Sequence, residues 1–553
     1  MNDTDVRRSS PTSDLETASW PPVPDDIRTL LREAGETHDF ARGEVVFDVG
    51  DASYDFVLVE SGTVDIVDRA TDRTVVRIEP GLFLGELSLL MGQGSLYAAV
   101  VHDDARLVVV ERSRFQELLR TSPEVADLVV PAFAARRRMS VERRDGGLTI
   151  VGSESDPRAL RLREFASRNR IPSRWVDRGD EEAMAELRRR HAIPEEGTVV
   201  VTADADVLVD PDLRAAADAT GMTLEVDASE PFDVVVIGAG PAGLAASVYA
   251  ASEGLSVLAL EDMAIGGQAG TSSRIENYLG FPKGVSGSEL AFLAEIQAVK
   301  FGARIAAPRR ATGLSRGGEL FEVRLDDGSK VRARSVVLAN GVQYRRLPLE
   351  RLEHFEGRGV YYAATDLEAR FCRRSEAVVV GGGNSAGQAV MFLSRYATRV
   401  HLLVRGDSLS DTMSTYLSDR IHGHERVELW THSEIHRLVG EDALSSVEVR
   451  NDRDGTERTI DTRALFVMIG AVPNTEWLDG QVALDDKGFV LTGAAAGDGV
   501  QGFSTSLPGV FAAGDVRADA IKRVASAVGE GSVVVSGVHR YLARQTEVVV
   551  ASE

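Results

Sequence analysis

Two passages of this chain constrain its fold more tightly than anything else in it. In the first, the apolar run Phe232-Asp233-Val234-Val235-Val236-Ile237 leads into Gly238-Ala239-Gly240-Pro241-Ala242-Gly243. The helical-period stretch LAASVYAASEG follows, and then a second apolar run, LSVLALE, ending in Glu261. In the second passage, Ala377-Val378-Val379-Val380 leads into Gly381-Gly382-Gly383-Asn384-Ser385-Ala386, followed by GQAVMFLSRY and RVHLLVR, which ends in Arg405. An apolar run without alternation suits a strand covered on both faces, as in a parallel sheet. Glycines between such a strand and a helix form a dinucleotide-binding turn. Gly238 permits the tight turn, Gly240 lets the backbone approach a pyrophosphate, and Gly243 allows close helix–strand packing. The helix N-terminus offers free N–H groups and a favourable dipole to the phosphates. Glu261 is placed to bind ribose hydroxyls. Gly381, Gly383, Asn384, Ser385 and Ala386 repeat this turn. Arg405 stands where an acid would meet a free 2′-hydroxyl, and a guanidinium there suits a 2′-phosphate, which predicts NADPH.

Far downstream, Gly509-Val510-Phe511-Ala512-Ala513-Gly514-Asp515-Val516 reads as a strand ending in Gly-Asp. This resembles two-dinucleotide flavoproteins, in which such an aspartate holds the ribityl chain; the likeness assigns FAD to the first turn through Gly514 and Asp515. The flanks LANGVQYRRL and FVMIGAVPNTEWL resemble the paired crossover strands of low-molecular-weight thioredoxin reductases. Gly266-Gly267-Gln268 and Asn277 are similar to that family's flavin-contacting loops, which puts Gly267, Gln268 and Asn277 among the FAD residues. The resemblance implies an FAD-binding domain in two parts, 231–346 and 474–545, interrupted by an NAD(P)H-binding domain at 347–473. It also implies a homodimer.

Upstream, short β-rich runs (EVVFDV, DFVLVESGTVDIV, TVVRI, ARLVVVE) separated by turns precede a helical stretch with Ser113 as its expected N-cap. The pattern predicts a small β-barrel or jelly roll over 26–143, and it resembles the cyclic-nucleotide-binding domain family. Phe83-Leu84-Gly85-Glu86-Leu87-Ser88-Leu89-Leu90 is similar to that family's phosphate-binding cassette. Where the family's phosphate-binding arginine would stand, this sequence has Ser95-Leu96-Tyr97, which argues against cyclic-nucleotide binding. A second block, 147–227, reads β-α-β-α and resembles a thioredoxin-like α/β fold. Its redox turn would fall at Ser153 to Asp156, which carries no thiol. Residues 1–25, polar and Pro/Ser-rich, are expected to be a disordered arm. The fold class expected is thus multidomain: a cyclic-nucleotide-binding-like barrel, a thioredoxin-like domain and a two-dinucleotide-binding α/β flavoprotein core.

The resemblance fails at one position that matters. Thioredoxin reductases carry a Cys-x-x-Cys at the start of the nucleotide domain, and the matching stretch here is Tyr361-Tyr362-Ala363-Ala364-Thr365-Asp366. Tyr362 and Thr365 fill the two thiol positions. Asp366, a proton donor in the family, remains. The chain contains one cysteine, Cys372, and one thiol cannot shuttle two electrons as an intramolecular disulfide.

A net charge of −23 argues against a nucleic-acid partner, since phosphate binding needs clustered Lys and Arg. His432 and His436 have i,i+4 spacing but no third ligand in view, and no metal site is expected. No apolar run approaches the ~18 residues of a membrane span, and no signal peptide is evident, so a cytoplasmic location is expected. The leading expectation is an NADPH-dependent FAD oxidoreductase that delivers electrons without an internal dithiol. Its acceptor would be a redox protein of ferredoxin or flavodoxin type, a quinone or oxygen. Two alternatives stay open at this point: thioredoxin reduction by an unusual route, and a regulatory scaffold with an idle flavin core.

Overall fold

In the computed structural model, residues 14–51, 54–69, 71–143, 147–153, 156–221, 230–272, 275, 277–362, 364, 366–409 and 413–552 are described. The first block is an antiparallel barrel built on two long strands, Phe56–Asp68 and Ala98–Val110, paired from Phe56↔Val110 to Val67↔Ala98. Its core is aromatic: the rings of Phe56 and Phe115 stack at 4.1 Å, and Phe83 and Phe133 pack beside them. Helices Arg112–Thr121 and Pro123–Arg143 close it. The first of these begins two residues earlier than expected, with Glu111 in the N-cap position. Ser113 sits inside the first turn and donates to Glu111 Oε1 at 2.7 Å.

The expected disordered arm is corrected for residues 14–25. Asp14–Ser19 is a helix packed on Pro123–Arg143. The buried guanidinium of Arg136 explains this order. It donates through Nε to the Ser19 carbonyl at 2.9 Å and lies 3.9 Å from the Trp20 ring centroid. A charge taken out of water needs such partners. Residues 1–13 of that arm lie outside the described residues.

The second block is a four-stranded sheet in which Leu148–Gly152 lies between Ser173–Asp177, parallel to it, and Val199–Val201, antiparallel. Val207–Val209 adds an edge strand. Asp156 caps the following helix, Pro157–Arg168, by accepting from Arg158 N at 2.9 Å; residues 154–155 of the expected redox turn lie outside the described residues.

The core holds two further sheets. In one, Phe232–Ile237 pairs in parallel with Val257–Leu260 on one side and Lys330–Leu338 on the other. Val510–Ala512 then adds in parallel to Lys330–Leu338, so residues far apart in sequence share one sheet. In the other, Glu376–Val380 lies between Arg399–Leu403 and Glu457–Val467, again parallel. A strand covered on both faces of a parallel sheet carries an apolar run, and the buried stretches Val234 to Ile237 and Ala377 to Val380 at the centre of the two sheets show it. Val342–Tyr344 and Ala471–Pro473 pair antiparallel, Val342 opposite Pro473, and carry the chain between the two sheets. Asn340 Nδ2 donates to the Asn474 carbonyl and Asn474 Nδ2 returns a bond to the Asn340 carbonyl at 2.7 Å, tying the crossover together.

Candidate active site

The first glycine turn is tight enough to exclude side chains. Gly238 has φ +101°, and a Cβ there would lie 2.5 Å from the Ala339 carbonyl oxygen. A Cβ on Gly243 would lie 1.8 Å from the Gly238 carbonyl oxygen, so the helix Pro241–Ser252 can rest on its strand only without one. Gly240 occupies that helix's N-cap with no side chain capping the first turn, which leaves its N–H groups for an anion. Gly383 does the same for the helix Asn384–Leu393, and a Cβ on Gly381 would meet the Met468 carbonyl at 2.3 Å. Both cradles therefore fit a dinucleotide pyrophosphate.

Glu261 follows the second strand of the first cradle and is buried. Its Oε2 accepts from Ala239 N at 2.8 Å and its Oε1 from Met263 N at 3.3 Å. Burial, reinforced by Asp262, pushes this carboxyl up to about 7. The carboxylate thus braces the glycine turn directly. Gly267 comes against the same turn: a Cβ on it would lie 3.0 Å from Gly240 Cα, and Gly266 N donates to the Ala239 carbonyl at 2.8 Å. Gln268 and Asn277, grouped with Gly267 from the sequence, are exposed.

The second block holds this loop in place, a role the sequence did not disclose. Arg168 Nη2 donates to the Gly267 carbonyl at 3.1 Å, and Asn169 Nδ2 donates to the Met263 carbonyl at 3.0 Å. Both come from the C-terminal end of Pro157–Arg168.

At the far end of the flavin sheet, Gly514 N donates to Glu530 Oε2 at 2.7 Å, and a Cβ on Gly514 would meet the Ala242 Cβ at 2.8 Å. This brings Asp515 to the glycine helix. Burial raises the Asp515 carboxyl against the opposing charge of Lys522, with Glu530 adding to the rise. Lys522 Nζ lies 5.9 Å from the Tyr344 ring centroid and 5.2 Å from that of Phe489. Burial, with the charge of Asp515 adding, pushes the Tyr344 phenol up to about 12.

Onto Tyr344 comes Tyr362 of the nucleotide-domain side. The Tyr362 ring stacks on Tyr344 with centroids 5.5 Å apart, and its hydroxyl donates to Glu356 Oε1 at 2.5 Å. Glu356 is held in turn by Arg346 Nη2 at 3.1 Å. Thr365 lies outside the described residues. Asp366 begins the short helix Asp366–Ala369. Cys372 is fully buried, and burial, with Glu368 adding, pushes its thiol up to about 12.

In the second cradle Asn384 and Ser385 are exposed and Ala386 is buried. Asn384 Oδ1 accepts from Ser414 N at 2.8 Å. Arg405 is exposed two residues beyond Arg399–Leu403, on the same sheet edge as the glycine turn. His432 and His436 take separate partners: His432 pairs with Asp407 at 2.5 Å and His436 with Glu448 at 3.5 Å. Among the described residues no helix is long and apolar enough to cross a membrane.

Two parallel-sheet cradles joined by a paired crossover define a flavoprotein oxidoreductase fed by a pyridine nucleotide. Comparison with known proteins agrees: residues 232–531 match the model of the pyridine nucleotide-disulphide oxidoreductases, and the chain belongs to that family. Residues 37–122 match the cyclic nucleotide-binding domain model. The chain is 36% identical over 315 residues to a thioredoxin reductase of Mycolicibacterium smegmatis, which covers 57% of this chain and 97% of that protein. It is 33% identical over 316 residues to one of Streptomyces clavuligerus, covering 57% and 95%. The solved thioredoxin reductase of Giardia duodenalis superposes with a TM-score of 0.53 at 27% identity, covering 57% of this chain and 100% of that one. The protein is an FAD-dependent NAD(P)H oxidoreductase of thioredoxin-reductase-like architecture with a cyclic-nucleotide-binding-type domain at its N-terminal side.

Proposed function

We propose that this enzyme draws reducing equivalents from NADPH and delivers them from its flavin straight to an external acceptor, with no dithiol relay. The observation that supports this reading is the Tyr362–Tyr344 stack: Tyr362, which stands in the sequence where the family's first thiol would be expected, rests on Tyr344, which lies beside Lys522 and Asp515. The chain's one thiol is buried and held protonated, whereas thiol–disulfide exchange needs an accessible thiolate. When bound, FAD supplies two-electron reduction by NADPH and onward transfer.

The chain's own groups would bind and orient. Gly238, Gly240 and Gly243 would receive the FAD pyrophosphate at the helix N-terminus, with Glu261 near the ribose and Gly267, Gln268 and Asn277 along the flavin loops. Gly514 and Asp515 would face the ribityl chain. Gly381, Gly383, Asn384, Ser385 and Ala386 would cradle NADPH, with Arg405 meeting its 2′-phosphate. Asp366 would serve as a proton donor. Tyr344 and Tyr362 would wall the flavin side and exclude water from it. The same proposal includes a homodimer in the cytoplasm and, as acceptor, a ferredoxin- or flavodoxin-like protein, a quinone or oxygen.

Rapid mixing with NADPH and then with a quinone tests it. The visible flavin band should bleach and then recover at the same rates in the wild type and in Cys372→Ser. A band that never bleaches, or recovery only with thioredoxin, would overturn the reading.

A further inference from the structure

A cavity of about 270 Å³ lies where the barrel, the second block and the flavin domain meet. Its floor is apolar, formed by Leu87 and Val141 of the barrel block, Phe165 of the second block and Ile265 and Val299 of the flavin domain. Its polar wall carries Arg170 and Glu295. The Arg170 guanidinium is fixed before any ligand arrives: it lies 3.8 Å from the Phe292 ring centroid, and its Nη2 donates to the Ser288 carbonyl at 2.7 Å. Its Nη1 is shielded from solvent and makes no hydrogen bond. A buried donor left in this state has given up its water without a replacement partner.

We propose that this cavity binds a small organic carboxylate with an aromatic or branched apolar body, its head against Arg170 and Glu295 and its body on the apolar floor. Arg170 Nη1 supplies the charge-assisted bond that such a head requires. Glu295 faces Arg137 and Arg170, with Glu289 on its own helix and Arg138 nearby. Burial outweighs the two arginines and pushes its carboxyl up to about 7, and in its protonated form it offers an O–H to the ligand head. The size is at the lower edge of small-molecule pockets, which run from about 300 Å³. Ile265 and Gly270 line the cavity and flank the loop whose Gly267 meets Gly240. An occupant therefore touches the segment that shapes the flavin turn.

The test uses the full-length FAD-loaded protein and the probes benzoate, phenylacetate and 4-methylpentanoate, with benzamide and inorganic phosphate as controls. Equilibrium dialysis and the visible flavin spectrum are read in the wild type, Arg170→Gln and Val141→Phe. At least one carboxylate should bind saturably, once per chain, and perturb the flavin band. Binding should be at least about tenfold weaker for benzamide and for phosphate, and at least about tenfold weaker in each variant. Val141→Phe removes no polar group and only fills the space, so it serves even where Arg170→Gln loosens the interface. The proposal is overturned if no probe binds saturably, if phosphate binds as well as the carboxylates, or if binding survives in a folded, flavin-loaded Val141→Phe.

Discussion

The ring of Tyr362 lies 5.5 Å from that of Tyr344 with the two planes 19° apart, which joins the nucleotide domain to the crossover strand beside Asp515. An aromatic pair of this kind is worth about 0.5–1.5 kcal/mol beyond the area it buries. Replacing Tyr362 with alanine would remove the proposed wall but no group needed to accept hydride. NADPH-driven flavin bleaching should stay within about threefold of wild type, while quinone-dependent reoxidation rises several-fold. Separate measurement of the two half-reactions checks this. A bleaching rate that falls with reoxidation unchanged would place Tyr362 on the wrong side of the flavin.

Arg405 is exposed at the edge of the second cradle. In Arg405→Gln, KM for NADPH should rise by about tenfold with kcat nearly unchanged, because the proposed contact to the 2′-phosphate would be made equally in ground and transition states. KM for NADH should not move. Steady-state kinetics with both nucleotides decides the matter.

Gly243 has no room for a methyl group, since a Cβ would fall 1.8 Å from the Gly238 carbonyl. Gly243→Ala must push the helix off its strand and disturb the N–H groups offered to the pyrophosphate. The variant should purify with most of its flavin lost, read as the ratio of visible to ultraviolet absorbance.

Glu295 carries a carboxyl raised to about 7 in the folded protein from an ordinary value of 4.5. Folding therefore favours its protonated form, and the stability this contributes is full below about pH 4.5 and lost as pH rises through about 7. Glu295→Gln should be more stable than wild type at pH 8, by on the order of 1–3 kcal/mol, and about equal to it at pH 4.5. The opposing pull of Arg137 and Arg170 is already contained in that raised value. Denaturant unfolding at the two pH values provides the comparison.

Much of the core was legible because its signals are local. Val234 to Ile237 and Ala377 to Val380 are uninterrupted apolar runs that meet glycines within the same ten residues, and the strand–turn–helix unit needs nothing from elsewhere. The crossover was readable from its two flanks, and Val342 does face Pro473. What escaped depends on residues distant in sequence. Arg168 reaches the Gly267 carbonyl across 99 positions, and nothing in Pro157–Arg168 marks that arginine as a brace for a flavin loop. The segment at 14–25 looked too polar to order because its partner, the buried Arg136, lies 117 positions from Ser19. Glu261 was read as a ribose ligand from its place after the second strand, and its bond to Ala239 N depends on a rotamer that sequence does not encode. In the cassette, Glu86 is engaged within the protein by Arg137, with Nε to Oε2 at 3.0 Å, a pairing made by a helix about fifty residues on.

Anaerobic titration with NADPH tests the central claim most directly. A flavin without a dithiol can store one electron pair per chain, so the visible band should bleach completely at one equivalent of NADPH per flavin, in the wild type and in Cys372→Ser alike. A requirement for two equivalents would reveal a second two-electron store, and a band that never bleaches would mean that the nucleotide does not reach the flavin; either result would contradict the account.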